Sequence, residues 1–213
     1  MESLEAELDR ARDLDVAALA DAIESIGFEC TRCGACCTGH GDDEHTATLF
    51  PDEVRALQAA TDEEWRDVAR PVPFGLDDDG TGETFEWSLQ TDSCGDCTYY
   101  EETDGVGACG VHEDRPLICQ TYPFSVALDN TVQPMGEAVD EAGIVRAHEC
   151  EGLGRDISRE DAEALAATLK ERAIRELEEA IAVSEQYEPV DRESGTVVVH
   201  DSEGAKRIDG TDF

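Results

Sequence analysis

The sequence predicts an α+β fold with a small, irregular cysteine-rich core of short strands, flanked by N-terminal and C-terminal amphipathic helices. Apolar residues recur every three or four positions at both ends of the chain, which is typical of helices that pack on one face. Between these ends, apolar and polar residues alternate only over short runs. All nine cysteines lie in this middle part, from Cys30 to Cys150. We therefore expect three segments: an N-terminal helix over 1–27, a cysteine-cluster domain over 28–155, and a C-terminal helix with a small hairpin over 156–213.

The N-terminal pattern predicts an amphipathic helix over residues 2–26, with a break near Asp13–Asp15. Gly27 is placed to end this helix, because glycine readily adopts the left-handed conformation found at helix C-termini. A short strand over Thr46–Phe50 comes next. Pro51 then begins a second helix, since proline suits the first helical position.

The middle of the chain predicts short elements separated by turns. Thr61 and Glu64 fit a capping box that begins a short helix. Thr84–Leu89 alternates apolar and polar residues as a strand does. Asp114 is placed to cap a further short helix, which Pro123 ends.

The last third of the chain predicts two strands, a long helix and a hairpin. Ser125–Leu128 and Gly143–Ala147 have the composition of short strands. The helical pattern runs from Ser158 to about Gln186. Residues 196–208 have the alternation and the turn residues of a hairpin.

The chain carries 52 acidic against 16 basic residues, which gives a formal net charge of −36. The acidic residues are spread along the whole sequence rather than gathered in one tail. Such a surface repels itself at low ionic strength, and salt screens this repulsion because the Debye length falls to about 3 Å at 1 M. We therefore expect an acidic, halophilic protein. Nucleic-acid binding is disfavoured, since no stretch offers a basic groove for phosphates.

The sequence also predicts a cytoplasmic protein that does not bind membranes. Residues 1–26 lack the apolar core of a signal peptide. No apolar run approaches the ~20 residues that a bilayer-spanning helix needs. Thiols usually stay reduced inside cells, and nine is an odd number of cysteines, so a disulfide scaffold is the lesser alternative.

Four cysteines within eight residues, Cys30, Cys33, Cys36 and Cys37, predict a metal centre. In a C-x2-C-x2-C run the backbone curls around one centre and presents successive thiolates to it. Bacterial ferredoxins hold iron–sulfur clusters with such a run, and zinc sites use C-x2-C pairs. Gly34 supplies the tight turn, because glycine tolerates positive φ without steric cost. Adjacent side chains in a loop point in different directions, so we expect Cys36 and Cys37 to serve different centres.

More thiols follow along the chain. Cys94 and Cys97 form a C-x2-C pair, and Cys109 follows a glycine-containing turn. Cys119 falls on the short helix predicted before Pro123, which is a rigid position for a ligand. A four-ligand site in the first run alone would leave many of these cysteines unused, so we expect one or two metal centres.

These cysteines belong to motifs that follow one another in a distinctive order, and the combination is more specific than any one piece. The motifs are Phe28-Glu29-Cys30-x2-Cys33-Gly34-x-Cys36-Cys37, Cys97-x-Tyr99, Cys109, Arg115-Pro116-x2-Cys119-x2-Tyr122-Pro123-Phe124 and Cys150-x-Gly152-x-Gly154. Over roughly residues 25–155 the chain resembles the YkgJ-type cysteine-cluster family, a zinc- or iron-chelating domain named for its CxxCxxCC motif. The resemblance leaves Cys94 outside the family's pattern. It implies eight metal-binding cysteines: Cys30, Cys33, Cys36, Cys37, Cys97, Cys109, Cys119 and Cys150.

Five other side chains are candidates for roles near the thiols. His112 and His148 could be ligands or hydrogen-bond a thiolate, although surface or packed histidines are the more common case. Arg115 could donate hydrogen bonds to a thiolate or pair with a carboxylate. Tyr122 and Phe124 are placed to shield the site from water, which for a cluster also influences the potential. The sequence contains no catalytic triad, phosphate-binding loop or dinucleotide motif.

We therefore predict a metal-binding protein in which the eight cysteines hold one or two iron–sulfur clusters, with a redox or electron-transfer role. Eight thiols suit two four-cysteine clusters. They also suit two tetrathiolate zinc sites, so a zinc-stabilised binding module without catalysis is the alternative. Metal storage or delivery is a third hypothesis. The expected partners are metal ions and a protein redox partner, with no nucleic acid and no membrane.

Overall fold

The computed structural model describes residues 3–39, 44–77, 80–128 and 138–213. Over these residues, helices and short strands in small sheets form a mixed α+β fold, which confirms the predicted fold class. The chain divides into two compact units. The first unit comprises Met1–Cys36 and Leu117–Glu178, and the second comprises Cys37–Pro116 and Glu179–Phe213. The three segments predicted from the sequence stay a prediction.

The helices are α1 (Leu4–Asp13), α2 (Val16–Ile26), α3 (Pro51–Thr61), α4 (Trp65–Val68), α5 (Leu117–Thr121) and α6 (Arg159–Gln186). The strands are β1 (Thr48–Leu49), β2 (Ala69–Pro71), β3 (Gly82–Thr84), β4 (Trp87–Leu89), β5 (Tyr100–Thr103), β6 (Val106–Cys109), β7 (Phe124–Val126), β8 (Ala138–Asp140), β9 (Val145–His148), β10 (Val197–Asp201) and β11 (Gly204–Lys206). They pair in the orders β1-β4-β2, β11-β10-β3, β5-β6 and β7-β9-β8. Strands β3 and β10 run parallel, and the other named pairs run antiparallel. None of the helices in the described ranges is long and apolar enough to cross a membrane.

In the first unit, the N-terminal helix breaks where the sequence predicts. Helix α1 ends at Asp13, and the Asp15 carboxylate caps α2 by accepting a hydrogen bond of 2.8 Å from the Ala17 backbone N–H. Gly27 ends α2 with a φ of +79°, as predicted. The buried face of α2, with Leu19 and Ile23, lies against β9 of the same unit. The apolar stripe of α2 therefore supports the segment that leads into the cysteine loop.

Helix α6 begins one residue after Ser158, whose hydroxyl accepts a hydrogen bond of 3.1 Å from the Asp161 backbone N–H. Arg172 on α6 is 1% exposed. Its guanidinium donates to the Thr121 hydroxyl at 3.0 Å and to the Glu176 carboxylate at 2.7 Å. A buried arginine with partners on two elements holds α5 against α6, and α5 carries Cys119.

In the second unit, two three-stranded sheets bury Trp87 completely. The Trp87 ring meets Trp65 edge-on, with 5.2 Å between ring centroids. Its Nε1 donates to the Asp201 carboxylate at 2.9 Å, so this buried donor is satisfied. Strands β10 and β11 form the predicted C-terminal hairpin.

The predicted capping box at Thr61 is wrong. Thr61 is the last residue of α3, and its hydroxyl donates back to the Leu57 carbonyl at 2.8 Å. Asp62 then adopts the left-handed conformation, with a φ of +60°, and ends the helix. Glu64 caps α4 instead, and its backbone N–H donates to Asp67 at 3.2 Å. A threonine hydroxyl can accept from a backbone N–H of the following helix or donate to a carbonyl of the preceding one. The local sequence alone therefore does not decide whether Thr61 begins a helix or ends one.

Two further local predictions need correction. Thr84–Leu89 is not one strand, because β3 ends at Thr84 and β4 begins at Trp87 in another sheet. Alternation identifies the face of a strand but not the strand with which it pairs. Asp114 lies in a 3₁₀ turn and does not cap α5, which begins at Leu117 directly after a proline.

Candidate metal site

The entry to the cysteine loop pairs with a remote stretch of the first unit. The Glu29 backbone N–H donates to the Gly152 carbonyl at 3.0 Å, and the Gly154 N–H donates to the Gly27 carbonyl at 3.0 Å. The residues between them form an antiparallel bridge. The first cysteine of the loop and the last cysteine of the chain, about 120 residues apart in sequence, are therefore held on neighbouring backbone segments.

Gly152 allows this close approach. A Cβ at this position would overlap the Glu29 carbonyl oxygen and lie 3.0 Å from the Phe28 ring. The Gly152 backbone N–H also donates to the Cys150 Sγ at 3.4 Å. From the sequence, Gly152 and Gly154 were identified only as parts of a motif, with no structural role. Two glycines at alternate positions are a signal of close backbone approach that could have identified this pairing.

Four cysteines of the first unit lie at or near this pairing, within electrostatic reach of one another. Cys30, Cys33 and Cys36 are exposed, and Cys150 is half-buried. Burial raises the pKa of the Cys150 thiol, the neighbouring thiols of Cys33, Cys36 and Cys30 raise it further, and the N–H of Gly152 lowers it. These thiols are close enough to repel one another when ionised, as thiolates around a cation do. We call them the first-unit thiols.

Tyr122 lies beside the first-unit thiols. Its hydroxyl donates a hydrogen bond to the carbonyl of Glu149, the residue before Cys150. Burial raises the pKa of Tyr122 to about 12, and the charges of Cys150, Cys36, Glu149 and Cys33 add to the rise. The phenol therefore stays neutral and acts as a hydrogen-bond donor at neutral pH.

The other predicted site residues of the first unit lie on regular elements. Cys119 is half-buried on α5. His148 is buried, with its Nε2 2.8 Å from the Ser125 hydroxyl, as in a packed histidine. Phe124 is fully buried and meets Phe28 edge-on at 5.7 Å, so it belongs to the core that supports the loop.

Backbone hydrogen bonds bring three cysteines together in the second unit. The Cys97 N–H donates to the Cys37 carbonyl at 2.8 Å, and the Tyr100 N–H donates to the Cys97 carbonyl at 2.9 Å. Tyr100 pairs with Cys109 across the β5-β6 hairpin. Cys97 is 7% exposed, whereas Cys37 and Cys109 are half-buried. We call these three the second-unit thiols.

Cys94, His112 and Arg115 lie on the surface or in turns of the second unit. Cys94 is exposed, and its N–H donates to the Asp92 carboxylate at 2.7 Å. The His112 side chain is 58% exposed, with its Nδ1 3.3 Å from the neighbouring Glu113 carboxylate. The Arg115 Nε donates to the His112 carbonyl at 3.1 Å. His112 is therefore a surface histidine, which is the more common of the alternatives considered for it.

The adjacent cysteines Cys36 and Cys37 fall in different units. That they serve different metal centres stays a prediction. All nine cysteines lie within the described residues, and none is joined to another by a disulfide.

The first-unit thiols fit a thiophilic metal by donor chemistry, because zinc sites and iron–sulfur clusters are both held by cysteine thiolates. The Gly152 N–H that donates to the Cys150 Sγ would stabilise a thiolate at that position. Over residues 3–39, 44–77, 80–128 and 138–213, no group of three or more Cys, His, Asp or Glu side chains already has the spacing that a metal ion requires.

A family model described as "CxxCxxCC: Putative zinc- or iron-chelating domain" matches residues 29–151, which is more than half of the chain. The chain belongs to this family. The matched range contains all nine cysteines, and the resemblance predicted from the motifs is confirmed. The protein is thus a metal-binding protein of a zinc- or iron-chelating family. No curated protein and no solved structure matches the chain.

Proposed function

We propose that this member of the family is an iron–sulfur protein with a redox or electron-transfer role, and that Cys30, Cys33, Cys36 and Cys150 hold one of its clusters. The observation that carries the proposal is the backbone pairing that brings Cys150 to the C-x2-C-x2-C run. Three cysteines from such a run and a fourth from a distant segment are the ligand pattern of ferredoxin clusters. Typical zinc sites use separate C-x2-C pairs instead.

The second-unit thiols, Cys37, Cys97 and Cys109, belong to the same proposal as ligands of a further centre. Their support is the backbone pairing that holds the three residues together. Cys119 on α5 is the eighth ligand predicted from the family resemblance. We assign it neither to the first-unit thiols nor to the second-unit thiols.

The exposure of the first-unit thiols favours a redox role over a purely structural one. Cys30, Cys33 and Cys36 are all exposed. A cluster on such a loop is close to the surface, where an electron can pass to a partner protein. The potential of a cluster depends on hydrogen bonds to its sulfurs and on its solvent exposure. The Gly152 N–H, which donates to the Cys150 Sγ, is a group of this chain that would act there.

A zinc-stabilised binding module is the second candidate, and the second-unit thiols favour it. Cys97 is almost completely buried, and it is held between Cys37 and the β5-β6 hairpin by main-chain hydrogen bonds. Structural zinc sites are closed in this way and need no partner for electron transfer.

The two candidates differ in the metal, and one measurement separates them. Protein purified anaerobically at high salt is analysed for iron, zinc and acid-labile sulfide, and its visible spectrum is recorded. We expect iron with sulfide, and a brown colour that bleaches on reduction. Zinc without sulfide would refute the redox proposal and support the binding module. Iron or zinc that exchanges freely while the fold persists would indicate storage or delivery instead.

We also propose that the protein works in a salt-rich cytoplasm. A net charge of −36 makes close packing of the chain unfavourable until salt screens the repulsion. Metal-binding thiols must be available in the reduced form, which the cytoplasm maintains.

A further inference from the structure

The residues close to Tyr122 on both sides in sequence are buried. Thr121, directly before it, is fully buried and receives a hydrogen bond of 3.0 Å from the buried Arg172. Phe124, two residues after it, is fully buried against Phe28. The loop thiols beside Tyr122, in contrast, are exposed. Tyr122 is therefore anchored by buried neighbours, whereas the loop cysteines beside it are exposed to solvent.

Tyr122 lies beside the first-unit thiols and bonds to the segment that carries Cys150. The phenol lies within the electrostatic reach of Cys33 and Cys36 from the loop and of Cys150 from the returning segment. The hydroxyl donates to the Glu149 carbonyl and so fixes the residue that precedes Cys150. On the opposite side, the Gly152 N–H holds the Cys150 sulfur. Cys150 is thus held from the residue before it and from the residue two positions after it.

We propose that Tyr122 is a positioning residue for the first-unit thiols: its hydroxyl fixes the Cys150 segment and so keeps Cys150 where it can bind a metal together with the loop thiols. The proposal deepens the proposed function, because it concerns the same metal-binding group, and it applies to iron and zinc alike. It predicts that Tyr122 controls how fast the metal leaves. We expect the chain to fold without this hydroxyl, because its partner residue Glu149 is exposed.

The test compares Tyr122→Phe, which removes only the hydroxyl, with Tyr122→Leu, which also removes the ring. Tyr187→Phe is the matched control, because the Tyr187 hydroxyl lies 3.4 Å from Glu83 in the second unit. Metal release is followed anaerobically by absorbance, with ferrozine for iron or pyridylazoresorcinol for zinc. The release phase that Cys33→Ser abolishes identifies the metal of the first-unit thiols.

We expect Tyr122→Phe to keep its metal content and to release the metal about fivefold faster, the factor that corresponds to one ordinary hydrogen bond. Tyr122→Leu, which also lacks the hydroxyl, should release it at least as fast, and Tyr187→Phe should match the wild type. Circular dichroism under the same conditions should show that each variant stays folded throughout the release phase.

A wild-type release rate in Tyr122→Phe would overturn the proposal. So would acceleration that merely follows global unfolding. A wild-type protein that contains zinc would refute the iron–sulfur proposal alone, since release is measured for either metal. A wild-type protein that binds no metal would overturn both proposals.

Discussion

The cysteines of the first unit lie mainly on an exposed loop, whereas those of the second unit are part of a backbone hydrogen-bond network. Cys30, Cys33 and Cys36 are exposed, but Cys97 is 7% exposed and its N–H and carbonyl both take part in main-chain hydrogen bonds. A buried, backbone-held thiol stabilises the surrounding fold when it binds metal. Thiols on an open loop leave the metal within reach of partners and reagents. We therefore propose that the second-unit thiols hold a structural centre and the first-unit thiols an accessible one.

The largest effect should come from replacing thiols of the two groups in turn. Cys97→Ser should lose metal and lower the Tm by about 10 °C, since losing a metal coupled to folding costs roughly 3 kcal/mol or more and each kcal/mol lowers the Tm by about 2–4 °C at this chain length. Cys33→Ser should also lose metal, but its Tm should fall by only a few degrees. Metal analysis and thermal denaturation measure both quantities.

Cys94→Ser serves as the control, because Cys94 is exposed and outside the family's pattern, and it should keep both metal and Tm. Equal losses of Tm in Cys97→Ser and Cys33→Ser would end the distinction between the two groups. Full retention of metal in either variant would remove that cysteine from the ligand set.

A smaller effect should follow from the backbone pairing that is specific to the first unit. Gly152→Ala would place a methyl group against the Glu29 carbonyl and separate the two segments. We expect its metal affinity to fall roughly 10- to 100-fold, the usual cost of disturbing the groups that orient metal ligands. Competition with a chelator of known affinity measures this change.

Gly143→Ala is the matched substitution for Gly152→Ala. A Cβ at Gly143 would meet no atom within 4 Å, so its metal affinity should equal that of the wild type. If Gly152→Ala also binds metal like the wild type, the pairing does not assemble the first-unit thiols, and the comparison between the units loses its structural basis.

The smallest difference between the units is expected from salt, which should stabilise both. Acidic residues are spread along the chain, and the net charge is −36. Raising KCl from 0.15 to 1 M shortens the Debye length from about 8 Å to about 3 Å, so the Tm should rise by several degrees. NaCl at the same concentrations should raise the Tm by the same amount as KCl, because screening does not depend on the identity of the cation. A Tm that stays constant or falls would contradict the halophilic proposal.

Local patterns predicted the helices better than the strands. The break between α1 and α2, the end of α2 before Gly27 and the beginning of α6 after Ser158 follow from capping residues and apolar periodicity, which act within one or two turns. The residues of Thr84–Leu89 joined two different sheets, because strand pairing depends on partners far away in sequence. The prediction for Thr61 was wrong for a different reason: its hydroxyl donates to the Leu57 carbonyl of the preceding helix and does not cap the following one.

The sequence by itself determined the metal-binding chemistry, the family and the main helices, since thiol spacing, motif order and periodicity are all local properties. It also indicated the turn at Gly34, which has a φ of +79°. Only the tertiary structure decided which thiols meet. Cys150 reaches the loop because backbone groups at positions 27–29 and 152–154 bond to one another, and glycines at positions 27 and 152 leave room for that contact. Such pairing depends on main-chain geometry between distant segments, which the spacing of cysteines along the chain does not encode.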